Sequence, residues 1–532
     1  MALDSDQSQA YRRNVNLRRK TLIVAGAVFG VAILIPVIHH YQLRISEASY
    51  IARLKAKGEP MDLAQVIPAP VPVDKNSVSN FLKVVALFDA DKSLLSTNYI
   101  SGMKMVARGK ATSRYQLPNA EGSFATNSWE EVAAAVRQNS GAFDLLRQII
   151  NKPDLDFQIQ YERVFGGSIR FDSMHLVEIK RAAQWLGTAT TSDLHEGDTA
   201  SAVKNLRAML ALAKSLEDEH VIISGLVQIG IAGMAVPPTW EVLQSPNVTD
   251  GQLVQLENDW NALDFIQADE NALEMERAMG LMNVAKWRAS NKSIQQLLES
   301  DKLAESMGTR STITMFDTAK MAGQLFMWRY WWSYPDELRR LKVEAVLLGT
   351  VRDMRTNHAF QAVQQRQTKE LDALLPSKVR DSSSGNPSQD MHTLVSQSAA
   401  SLSSVSRRVM MIEAARQITV TAIALKRYQL KHGNYPRDLD SLVPEFVPDV
   451  PFDPVDGQPL RYRPKADGTF LLYSIGENGN DDNGNPSLER GVQSTSMYWQ
   501  NEYALDWVWP QPATQEDIQI YHDKQSSRKS QN

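Results

Sequence analysis

The chain has 532 residues, a formal net charge of −4, 43% hydrophobic residues and no cysteine. That length accommodates two or three domains with cores of their own, and the balance of apolar and charged residues is that of folded protein. The lack of cysteine excludes disulfides, thiolate nucleophiles and cysteine metal sites, and without a basic stripe beyond residue 20 there is no nucleic-acid signature.

Residues 1–20 form a basic tail carrying Arg12, Arg13, Arg18, Arg19 and Lys20. The 18 residues from Thr21 to Ile38, TLIVAGAVFGVAILIPVI, contain no charge. That is long enough for a hydrocarbon core about 30 Å thick. Only His39, His40 and Arg44 follow closely, so the positive-inside rule predicts a single-pass anchor at 21–38 in a bacterial inner membrane. The tail would then be cytoplasmic and the bulk of the chain periplasmic. IPVIHHYQ has no small-residue cleavage site, so the segment reads as an uncleaved signal-anchor with the lipid bilayer as partner. A second apolar run, Val221 to Val236, is 16 residues long and stops at Pro237-Pro238. It is short for a span, carries Ser224 and Gln228, and lies among amphipathic helices. A buried core helix is expected; the alternative, a second crossing, would return everything after it to the cytoplasm.

Residues 39–79 read as a juxtamembrane helix stopping at Gly58, followed by the proline-rich connector VIPAPVPVDKNS. Residues 80–378 have helical periodicity and few strand signals. Ser128 with Glu131 makes a capping box, and the turn HEGD at 195–198 joins two helices whose small residues Ala182, Ala183 and Ala202 allow close packing. The pair is similar to a tetratricopeptide unit, but no 34-residue period extends along the chain, and a solenoid needs about three repeats. An irregular helical domain is expected. Within it, Trp328, Trp331 and Trp332 share a helical face; this predicts core packing, with a candidate ligand or partner surface as the alternative.

A serine-rich linker, 379–405, leads to a second domain at 406–510. This begins with a long helix ending at Gly433 and continues with alternating strands LRYRP and TFLLYSI around the turn KADG, a hairpin. Residues 511–532 are polar and read as a disordered tail. The predicted fold class is therefore mainly α with a C-terminal α+β domain.

The ordered phrases ALKRYQLKHGNYP, LDSLVP, VPFDPVDGQPLRYRP and LLYSIGENGNDDNG resemble the globular module of type II secretion major pseudopilins, over about Arg407 to Pro510. GEPMDL and VDKNSVSNFLKV resemble the juxtamembrane part of large membrane-anchored proteins of planctomycete-type bacteria that carry such a module behind a helical domain. The pseudopilin resemblance implies a long helix, a small antiparallel sheet and a loop holding structural calcium, with Ser474, Asn478, Asp481, Asp482 and Asp506 at the ligand positions. Calcium takes six to eight oxygens, and a segment with 13 Asp or Glu against 5 Lys or Arg between Gly433 and Pro510 suits a cation. An Asn-Gly hairpin with its acids in water is the plain alternative. One departure is large: a pseudopilin's membrane segment runs straight into its module helix, whereas here the two lie some 370 residues apart.

HExxH, P-loop, GxGxxG and GxSxG patterns are absent, and Ser201-Ala-Val-Lys204 lacks the companion motifs of penicillin-recognising enzymes. The expected function is a non-enzymatic envelope scaffold or secretion-associated protein with an envelope protein partner. An envelope enzyme or glycan-binding protein using the aromatic cluster is the alternative.

Overall fold

The computed structural model describes residues 38–165, 173–290, 323, 327–375, 396, 402–490 and 503–529. Of the predicted anchor only Ile38 falls among them, and of the predicted linker only Ser396 and the residues from 402 onward. The chain divides into two compact units, one of residues 1–61, 283–342 and 381–398, the other of 62–282, 343–380 and 399–532.

In the first unit, residues 38–56 are helical. The helix stops where expected, at Gly58, whose φ of +82° is left-handed and suits a residue without Cβ. Arg288 organises this unit. Its Nη1 donates to Glu47 Oε1 at 3.1 Å, its Nη2 to the Ser333 carbonyl at 2.7 Å, and its guanidinium lies 3.9 Å from the Tyr334 ring centre.

The second unit is centred on a helical hairpin, α1 (Met174–His195) and α2 (Thr199–Lys214). Asp198 caps α2 by accepting the Ser201 N–H, and Ala182, Ala183, Ala202 and Ala208 are fully buried, as close packing requires. Helix α3 (Ile222–Gln244) packs on both. By length and composition alone α3 would reach across a membrane. Here Ile231, Ala232, Ala235 and Val236 join the core, and Gln228 donates to Glu217, so its polar residues have partners inside the unit. Pro237 and Pro238 lie inside α3. A Cβ on Gly102 would come within 3.1 Å of Pro238 N and 3.2 Å of Glu241 Cγ, so only glycine allows this approach.

Helix α4 (Asp250–Asn261) follows, and α5 (Ser403–His432) packs against both α3 and α4. Ile418, Ala422, Ile423 and Leu425 of α5 share one hydrophobic core with Trp185, Leu206 and Trp240. The core thus runs across the boundary that the serine-rich stretch marks in the sequence. Gly433, with φ +82°, terminates α5 as predicted.

The predicted hairpin is present, one part of three small sheets among the described residues. Strands β1 (Lys104–Ala107) and β2 (Lys110–Thr112) pair antiparallel, as do β3 (Ala120–Glu121) and β4 (Thr126–Asn127). Strand β5 (Arg461–Pro464) pairs antiparallel with β6 (Phe470–Ser474), and β6 with β7 (Trp507–Val508). Strand β8 (Gln511–Pro512) pairs parallel with β2. The segment 507–512 therefore joins the C-terminal sheet to a hairpin some 400 residues earlier, and the Trp240 indole N–H fastens it by donating to the Pro510 carbonyl at 2.7 Å.

The tail expected to lack order forms β8 and helix α6 (Gln515–Lys529). The Thr514 hydroxyl accepts the Asp517 N–H while Asp517 accepts from the Thr514 N–H and hydroxyl, a reciprocal cap. Lys110 pairs with Asp517 at 2.7 Å. Polarity masked this order, because the contacts that fix the tail are caps and an ion pair rather than apolar burial.

Candidate functional site

The site begins where β6 ends. Gly476 has φ +68°, and a Cβ there would lie 2.8 Å from the Leu505 carbonyl oxygen, so the chain leaves the strand through a turn that favours glycine. Two side-chain turns then fold the loop: Asn478 Oδ1 accepts the Asn480 N–H and Asp481 Oδ1 accepts the Asn483 N–H, each at 2.9 Å.

The structure brings all five predicted ligand residues to this loop and gives each a separate task. Asp506 is buried, and its Oδ2 accepts the N–H groups of Gly484 at 2.9 Å and Asn485 at 2.8 Å. Its Oδ1 faces the Asp482 N–H at 3.4 Å. Burial raises the Asp506 pKa and these N–H groups oppose the rise. Asp482 Oδ2 accepts from the Asn478 amide at 3.0 Å. Asp481 Oδ1 also accepts from the Tyr473 hydroxyl at 2.9 Å. The Ser474 hydroxyl, fully buried, points away and donates to Asp453 Oδ1 at 2.8 Å. Among the described residues no three His, Cys, Asp or Glu are grouped as an ion would need.

Two residues that sequence reasoning passed over hold the site together. Asp453, in the phrase VPFDP, is fully buried and accepts the N–H groups of Val455 and Ile475 at 3.0 Å each, besides the Ser474 hydroxyl. Burial pushes its carboxyl up to about 6 against the pull of those donors. Arg461 of β5 faces three carboxylates: Asp456 through Nη1 at 3.0 Å, Asp453 at 3.3 Å and Asp481 at 3.7 Å. The hydrogen bonds to Asp456 raise its pKa and keep it charged. The sequence signal for this hub was a short basic run, Arg461, Arg463 and Lys465, within an acidic stretch. Chemically, the arrangement is a set of acceptors matched to internal donors, and the Ser474 hydroxyl that donates to Asp453 is fully buried with it.

The aromatic cluster divides. Residues Trp328–Trp332 form a π-helical turn, which widens the helix and breaks the periodicity that placed three tryptophans on one face. Trp328 is buried, donates its indole N–H to Asp336 at 2.8 Å and meets the Trp287 ring edge-on. Trp331 is 49% exposed and Tyr330 48%. Trp332 is half-buried. Trp328 is therefore no part of a ligand surface, and Trp331 is no part of the core.

The histidine of the 195–198 turn is structural as well: the His195 ring stacks on Trp129 at 4.3 Å and its Nδ1 faces the Tyr115 carbonyl at 2.7 Å. No family model matches the chain, and neither does any curated protein or solved structure.

Proposed function

We propose that the chain is a non-enzymatic, membrane-anchored envelope protein. A single helix at 21–38 would hold it in a bacterial inner membrane with the basic tail cytoplasmic and the bulk periplasmic. There it acts as a scaffold, or as a secretion-associated interaction protein, for another envelope protein. The supporting observation is how the pseudopilin-like segment is used. Its long helix α5 is packed into the helical core, so it is not left bare as a filament spine. Asp506 gathers its acidic loop through the Gly484 and Asn485 N–H groups, and Arg461 faces the loop at Asp481. A narrower second reading, a partner or glycan contact, is favoured by the exposure of Tyr330 and Trp331 and is confined to those two side chains.

The test uses the natural lack of cysteine. Single replacements Ser8→Cys, Glu196→Cys and Asn434→Cys would be treated with a membrane-impermeant maleimide in spheroplasts; Glu196 and Asn434 are exposed. The proposal expects labelling at 196 and 434, and at 8 only after lysis. Labelling at 196 but not 434 would mean that the chain crosses again through α3. Turnover of an envelope substrate by the purified protein, abolished by one point substitution, would contradict the non-enzymatic assignment.

A further inference from the structure

Helix α5 carries several cations that face partners. Arg416 is paired with Glu413 at 2.9 Å, Arg427 with Asp250 at 2.9 Å and Glu257 at 2.7 Å, and Lys431 with Glu445. Lys426 differs. It is half-buried, and its ammonium donates to the neutral Gln429 amide oxygen at 3.0 Å and faces no carboxylate among the described residues. Burial alone lowers its pKa, with no neighbouring acid to counter it.

Lys426 lines a cavity of about 220 Å³ beside the start of β6. Tyr435, Phe470 and Trp509 supply flat apolar walls, and Gln244 and Gln429 supply amides. The Tyr435 and Phe470 rings meet edge-on at 4.8 Å, which fixes that wall. The volume lies below the roughly 300–1,000 Å³ of pockets for drug-sized ligands, so the occupant must be small. One ammonium flanked by neutral amides matches a single negative charge, since phosphate sites gather several cationic or N–H donors.

We propose that this cavity binds a small monocarboxylate with a flat apolar body, its carboxylate supplying Lys426 with the counter-charge that the fold omits. Such a group occurs on free aromatic acids and at the end of a peptide terminating in an aromatic residue.

Full-length protein in lipid nanodiscs would be titrated with phenylacetate, with its neutral counterpart phenylacetamide, and with N-acetyl-Ala-Phe, by ligand-observed NMR. A charge-assisted hydrogen bond predicts about a tenfold preference for phenylacetate over phenylacetamide. Lys426→Met should bind the two equally and be at least as heat-stable as the native chain, while Lys426→Arg keeps the preference. Tighter binding of N-acetyl-Ala-Phe than of phenylacetate would assign the site to a peptide terminus, and the reverse to a free acid. Equal affinity of the native chain for acid and amide, absence of binding, or an undiminished preference in Lys426→Met would overturn the proposal.

Discussion

At its Ser474 end, strand β6 runs into a cluster of aspartates whose oxygens are taken up by backbone N–H groups, hydroxyls and Arg461. At its Phe470 end, the same strand walls a cavity in which Lys426 donates to the neutral Gln429 amide and faces no carboxylate among the described residues. The contrast separates two uses of charge. Where every buried charge meets an internal donor or acceptor, the region is a joint of the fold. Where one is left without a counter-charge, burial makes it costly and a ligand of opposite sign gains from supplying it.

The matched end breaks most readily at Asp506. Asp506→Ala leaves the N–H groups of Asp482, Gly484 and Asn485 without their acceptor and is expected to lower stability by roughly 2–4 kcal/mol in urea unfolding. Asp506→Asn, which keeps one acceptor oxygen, should lose less. Equal stability of Asp506→Ala and the native chain would mean that something else closes the loop.

Glu241 sharpens the rule for a buried acid. It is fully buried in α3, its Oε1 accepts the Met103 and Arg114 N–H groups, and burial pushes its carboxyl up to about 8. The raised value means that the folded state favours the protonated form. Its contribution is complete below about 4.5 and is lost as pH rises through about 8, so thermal midpoints should fall across that window. Glu241→Gln, which keeps the acceptor oxygen and carries no charge, should flatten the decline, a difference of about 1–3 kcal/mol at pH 8. An unchanged slope in the variant would place the titration elsewhere.

A smaller loss, about 1–2 kcal/mol, is expected for Arg461→Met, because Asp456 and Asp481 are partly exposed and water replaces the guanidinium there. The smallest effect is expected from calcium itself. With Asp506 and one oxygen each of Asp481 and Asp482 engaged internally, excess calcium or chelator should leave the unfolding midpoint of the native chain unchanged. A clear rise with calcium would restore the ion to the loop and remove the matched half of the comparison.

What was legible in the sequence was local. The Ser128–Glu131 box, the 195–198 turn, the stops at Gly58 and Gly433 and the β5–β6 hairpin depend on residues a few positions apart, and each lies where its chemistry predicts. What escaped was remote. Nothing near Lys110 announces the parallel pairing with Gln511, and nothing near Asp453 announces Ser474. The serine-rich stretch 379–405 suggested a domain boundary before α5, but apolar residues on both sides of that boundary are interchangeable as partners, and they form one core. The tryptophans diverged because a π turn changes the period on which the reading of one face relied.

Helix α5 and strands β5–β7 are a structural part of the helical unit, within one compact body. Hydrogen exchange of the full chain across a urea series tests it most directly. Amides of α3 and of α5 should lose protection together, at one urea concentration, because they share one core. Retention of protection in α5 and β5–β7 where α3 has already lost it, or the reverse, would show a separable module and contradict the account.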